Sequence, residues 1–168
     1  LRCTTGATDV MYFGAHNSTS QIEVFKWGDS TGTVFRAAVN LSTAWPNATR
    51  VCPTPDGRDW CGDDDGRMKA GWIGRGLIGF MWNASAGLGF VNPYVEAARL
   101  SDGTPATGVT ITPTYVDRPF LFNGTGAFQY PGAAANARGD IGITAYYSDA
   151  TFDPFGLVGI DDDFHHCC

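Results

Sequence analysis

Glycine and proline interrupt this chain so often that long helices have almost nowhere to form. With 22 Gly and 9 Pro among 168 residues, the longest stretches free of both, 15–27 and 33–45, are thirteen residues each. The acids point the same way: fifteen Asp stand against two Glu, Glu23 and Glu96, and Asp favours turns and caps where Glu favours helix interiors. Read by period, DVMYFGAHN and QIEVFKW alternate around a polar turn at 17–20, and TVFRAAVNL follows the GDSTG turn, which predicts an antiparallel meander. GRMKAGW, RGLIGFMWN and PYVEAARL predict further strands, as do VTITPTYV, RPFLFNG, GDIGITAYY and FGLVGIDDDF. In PYVEAARL one face carries Tyr94, Glu96, Ala98 and Leu100 and the other Val95, Ala97 and Arg99; in GDIGITAYY, Ile141, Ile143, Ala145 and Tyr147 share a face. The expected fold is all-β and antiparallel, in one unit spanning 1–168.

A net charge of -6, with two Lys and nine Arg scattered along the chain, disfavours nucleic acid, whose phosphates need a clustered basic face. No apolar run reaches the roughly 20 residues of a membrane span, and the opening at Leu1 shows no signal-peptide pattern, so a mature or excerpted segment is expected. Five Asn-X-Ser/Thr sequons, at Asn17, Asn40, Asn47, Asn83 and Asn123, stand where about one is expected by chance, and they predict an extracellular, N-glycosylated surface.

Five cysteines agree with that compartment. Cys52 and Cys61 bracket CPTPDGRDWC and predict a local disulfide pinning the long polar excursion at 44–67. Cys3 is expected to pair with Cys167 or Cys168, leaving one thiol for an intermolecular bond. The contiguous His165, His166, Cys167 and Cys168 lack the spacing of a zinc motif.

For chemistry, DGRDWCGDDDGR gathers Asp56, Asp59, Asp63, Asp64 and Asp65 in a Gly-bearing loop, the composition of an oxygen-ligand calcium site, with Asp63 and Asp65 as its candidate ligands. Asp161–Asp163 form a second acidic run of the same kind. No EF-hand spacing, nucleophile elbow or catalytic triad is present, so no catalytic residue is assigned and no cofactor beyond calcium is implied. His16, between a strand and a sequon, reads as a surface turn residue. Trp60, inside the acidic loop, is the tryptophan most suited to stacking on a sugar; the other tryptophans read as core. Arg138-Gly139-Asp140 abuts a strand and reads as its entry turn, not as an adhesion motif.

DVMYFGAHNSTSQIEVFKW, GLIGFMWNASAG with NPYVEAARL, and NARGDIGITAYYSD with VGIDDDF resemble blades of secreted bacterial β-propeller proteins of the broad sialidase-like kind. The resemblance covers 8–45, 66–105 and 125–164, about three blades' worth, and implies that Asn136, Gly139, Asp140, Ile141, Gly142 and Ile143 belong to an inner strand. Since propellers close with four to eight blades, it implies a fragment or a ring completed by other chains; a closed β-sandwich or jelly roll is the alternative. The function expected is a secreted, non-enzymatic binding or surface-assembly module. Its partners would be carbohydrate or a protein surface, with self-assembly through an odd cysteine or a sheet edge. The second expectation is a fragment of a sialidase-like carbohydrate-active hydrolase, placed second because GDSTGTVF lacks the Ser and Trp of the sialidase turn in register.

Overall fold

The computed structural model describes residues 1–6, 9–30, 32–103 and 110–162. Within them the chain is all-β, with twelve strands in three antiparallel sheets and no helix. The first sheet holds β1 (Arg2–Cys3), β2 (Val10–Ser18), β3 (Gln21–Gly28) and β4 (Val34–Asn40), in that order. The central sheet holds β5 (Met68–Gly74), β6 (Leu77–Ala84), β7 (Tyr94–Asp102) and β8 (Pro113–Asp117), with the short β9 (Phe120–Leu121) continuing along β7. The third holds β10 (Gly126–Ala135), β11 (Ile141–Asp149) and β12 (Phe155–Asp161). Within each sheet, strands that follow one another in the chain are neighbours, as tight turns between them require, except that β9 pairs with β7 rather than β8.

The three sheets form three layers, and none closes on itself. One core lies between the first and central sheets, where Tyr12, Ile22, Val24 and Val39 meet Ile78, Phe80, Trp82 and Leu100. A second lies on the opposite face of the central sheet, where Trp72, Met81, Val95 and Ala97 meet Phe128, Ile141, Ala145 and Tyr147. The middle of the central sheet is therefore covered on both faces, while its edge strand β8 keeps exposed residues at Thr114 and Val116. β6 loses the polar-out alternation of a half-buried strand: it reads LIGFMWNA, buried at every residue after the first.

Between the layers, β5 lies against β1, β2 and β10, β10 also packs on β6 and β7, and β8 lies against β4. The sheets converge at their first strands. Thr5 bridges to β5 through Thr5 N–H to Gly71 O (2.9 Å) and Ile73 N–H to Thr5 O (2.8 Å), and its hydroxyl lies 3.3 Å from both Gly71 O and Ala133 O of β10. Close approach here excludes side chains: a Cβ on Gly14 of β2 would fall 2.6 Å from Met68 Sδ and 2.7 Å from the Phe80 ring.

The Arg-Gly-Asp stretch forms the β10–β11 turn, closed by Asn136 N–H to Asp140 O and Gly139 N–H to Asn136 O, with Gly139 at φ +86°. Asp140 is buried and accepts from Asn136 Nδ2, Arg75 Nη2 and Arg138 Nη2 at 2.9, 2.6 and 2.7 Å. The hydrogen bond from Asn136, then that from Arg75, holds its carboxyl below the usual carboxylate range. The acid of the tripeptide is thus consumed inside the fold.

Candidate functional site

The segment 41–67 carries no strand, and its order comes from side chains. Cys52 and Cys61 form a buried disulfide, and Asp59 Oδ1 accepts the backbone N–H of both, at 3.0 and 3.1 Å. Asp56 caps a turn through Thr54 Oγ1 and Arg58 N–H. Asp64 pairs with Lys69 at 2.7 Å and accepts from Asn83 Nδ2. Asp65 faces Arg67 and Lys69, and the hydrogen bond from Arg67 above all holds its carboxyl well below the ordinary range.

Four of the five loop carboxylates therefore already accept protein donors, so the oxygen cage expected around Asp63 and Asp65 is not gathered. Among the described residues, the one group of three potential metal ligands within reach of each other is Cys52, Asp59 and Cys61, whose sulfurs are bonded to each other. Of the second acidic run, Asp161 pairs with Arg99 at 3.4 Å, and Asp163 lies outside the described residues. Cys3 is exposed; its expected partners, Cys167 and Cys168, and the neighbouring histidines also lie outside them.

Trp60 is fixed rather than free. Its Nε1–H donates to Ser148 Oγ at 2.6 Å, and Ser148 donates in turn to Pro53 O at 2.6 Å, tying the loop to β11. Its ring packs with those of Tyr130 (centroids 5.6 Å) and Tyr146 (6.4 Å), both exposed, to make a surface patch of three rings. Tyr130 sits at φ +54°, a costly conformation for a non-glycine residue, at the β-bulge between Gln129 and Gly132. Burial first, then the charge of Asp64, raises its hydroxyl pKa. The sequence singled out Trp60 but gave no signal that Tyr130 and Tyr146, 70 and more positions away, would join it.

Four sequon asparagines, Asn17, Asn40, Asn47 and Asn123, are exposed. Asn83 is not: it is fully buried, donates to Asp64, and accepts Tyr130 N–H at 2.9 Å, so a glycan there is incompatible with the fold. His16 also departs from expectation. It lies within β2, with its ring 4.8 Å from that of Trp45 and 4.7 Å from that of Trp82, and burial pushes its pKa down to about 4. The bulge between His16 and Ser18 lets the strand run past the point where the sequon suggested a turn.

A cavity of about 520 Å³ lies between the central and third sheets. Its walls are apolar, from Trp72, Met81, Phe128 and Leu157 among others, and its rim holds Arg99, Asp161 and Asn123. Arg99 Nε and Nη2 grip Asp117 at 2.6 and 2.5 Å, while Nη1 reaches Asp161. No protein-family model, curated protein or solved structure matches the chain. Glu96, a buried carboxylate whose pKa burial raises, lies away from this cavity, paired with Arg118 and Tyr94. No helix of the described residues is long and apolar enough to cross a membrane.

Proposed function

We propose that this chain is a secreted, non-enzymatic binding or assembly module whose three sheets are propeller-like blades. One observation carries the reading: the stack ends, on both sides, in apolar sheet faces. On the outer face of the first sheet, Met11, Trp27 and Val34 form one exposed cross-strand row. On the outer face of the third, Tyr146, Val158 and Ile160 are exposed, Val158 at 84%. An exposed apolar sheet face invites a further sheet, from the remainder of a longer chain or from a second copy. The buried disulfide and the four exposed sequons support an extracellular location, and the patch of Trp60, Tyr130 and Tyr146 supports carbohydrate as a further partner. Sedimentation velocity across a hundredfold concentration range tests the reading. Self-association is expected, and either Trp27→Lys or Val158→Lys should abolish it; a monomer at every concentration would remove the assembly role.

A second reading, a fragment of a sialidase-like hydrolase, is favoured by the grouping of Arg99 with Asp117 and Asp161 at a cavity rim. It stands second because every guanidinium nitrogen already faces one of those carboxylates, so a substrate anion would have to compete with them for Arg99.

A further inference from the structure

We propose that the patch of Trp60, Tyr130 and Tyr146 is a binding site for short, soluble, uncharged oligosaccharides, and not for acidic or crystalline glycans. The site rests on the reading of the chain as a binding module and gives that patch its ligand class. The φ of +54° at Tyr130 is a conformation that glycine or asparagine takes at less cost, and the ring, 37% exposed, joins no core in return. The strained bulge instead sets that ring 5.6 Å from Trp60 and 6.5 Å from Tyr146. Trp60 is held by Ser148 and adjoins the disulfide, so the rings are in place before a ligand arrives and binding costs little ordering. One flank is bare: Tyr146 faces Gly156 across β11 and β12, where a Cβ would meet nothing.

Ring geometry and charge select the ligand. The rings are mutually inclined at 41°, 60° and 87°, so no flat crystalline face can lie on all three, whereas one sugar can rest its apolar face on one ring and its edge against another. In the loop that carries Trp60, Asp56 is matched by Arg58 and Asp65 by Arg67, while Lys69, 6.0 Å over the Tyr130 ring, is held by Asp64 at 2.7 Å. Neither Asp59 nor Asp63 has a salt bridge among the described residues, which leaves the loop with surplus negative charge. Burial raises the Tyr130 hydroxyl pKa most, and Asp64, Asp63 and Asp59 add to it, which places these carboxylates near the rings. Such surroundings repel a uronate or sialylated chain and accept hydrogen bonds from neutral hydroxyls.

Cellotetraose, mannotetraose and N-acetylated chitotetraose are the neutral probes, and tetragalacturonate is their charged counterpart. Titrated calorimetrically into the whole protein, at least one neutral probe is expected to saturate at one per chain, with tetragalacturonate at least tenfold weaker than that probe. Tyr130→Asn, which accepts the positive φ and should not lower the Tm, and Tyr146→Ala should each weaken binding at least tenfold. Asp63→Lys should narrow the preference over tetragalacturonate at least threefold. Trp27→Lys, on the opposite outer face, should leave the affinity unchanged. A monomer that binds sugar therefore retires assembly alone, and an assembling protein that binds none retires this site alone. Absence of saturable binding by all the neutral probes, binding that survives both ring variants, or a preference unchanged by Asp63→Lys would each overturn the proposal.

Discussion

Lys26 on β3 and Asp102 on β7 form an ion pair of 2.8 Å between the first and central sheets, with side chains only 1% and 5% exposed. Tyr12 donates to the same carboxylate oxygen at 2.7 Å, and burial, helped by Asp102, pushes its hydroxyl pKa far up. Removing the lysine alone strands a buried carboxylate, so Lys26→Met should cost about 3–5 kcal/mol in urea unfolding. Replacing both partners, Lys26→Met with Asp102→Leu, should recover most of that loss. A double variant as unstable as the single one would show that the pair contributes through something besides charge compensation.

His16 supplies a pH dependence. Its folded pKa of about 4 lies below the usual 6.5 because the ring is buried, so between these values the unfolded chain binds a proton that the folded chain refuses. The full stability is present above about pH 6.5 and falls as the pH drops toward 4, by about 3 kcal/mol in all. His16→Phe keeps a ring between Trp45 and Trp82 and should flatten this portion of the stability profile; a slope unchanged in the variant would assign it elsewhere.

The Cys52–Cys61 bond closes a short loop whose remaining order depends on Asp59. Loop-closure entropy gives it about 2–3 kcal/mol, and Cys52→Ser with Cys61→Ser should lower the denaturation free energy by that amount. The hydrogen bond from Trp60 to Ser148 anchors the far side of the loop, so the double variant should also loosen Trp60. A red shift in tryptophan emission upon reduction, lost in Trp60→Phe, checks this.

Occupancy of the sequons should stop at four. Intact mass of protein secreted from a glycosylating host is expected to show glycans at Asn17, Asn40, Asn47 and Asn123 and none at Asn83. Asn83→Ala should leave that mass increment unchanged while costing about 1–3 kcal/mol, because Tyr130 N–H loses its acceptor and Asp64 a donor.

Much of the strand content was legible because it depends on local rules. QIEVFKW alternates over Gln21 to Val24 and became β3, and the face carrying Ile141, Ile143, Ala145 and Tyr147 packs against the central sheet as its period required. The disulfide was legible for the same reason, since its ends lie nine positions apart. What escaped depends on contacts between distant strands. His16 has the neighbours of a turn residue in sequence, yet Trp45 and Trp82 close over it in space. Asn83 matches a glycosylation signal, but β6 is covered on both faces, and the unalternating LIGFMWNA was the one local hint of that. Arg99, Asp117 and Asp161 meet only because β7, β8 and β12 come together at one rim, which no spacing along the chain could announce.

Layering also orders how the molecule comes apart. Either outer meander can lift away by giving up one apolar interface, but amide protons in the middle of β6 become accessible only when both interfaces fail together. Deuterium uptake should therefore proceed from the two ends of the stack inward, with the peptide covering Leu77–Ala84 exchanging last and at the rate of global unfolding.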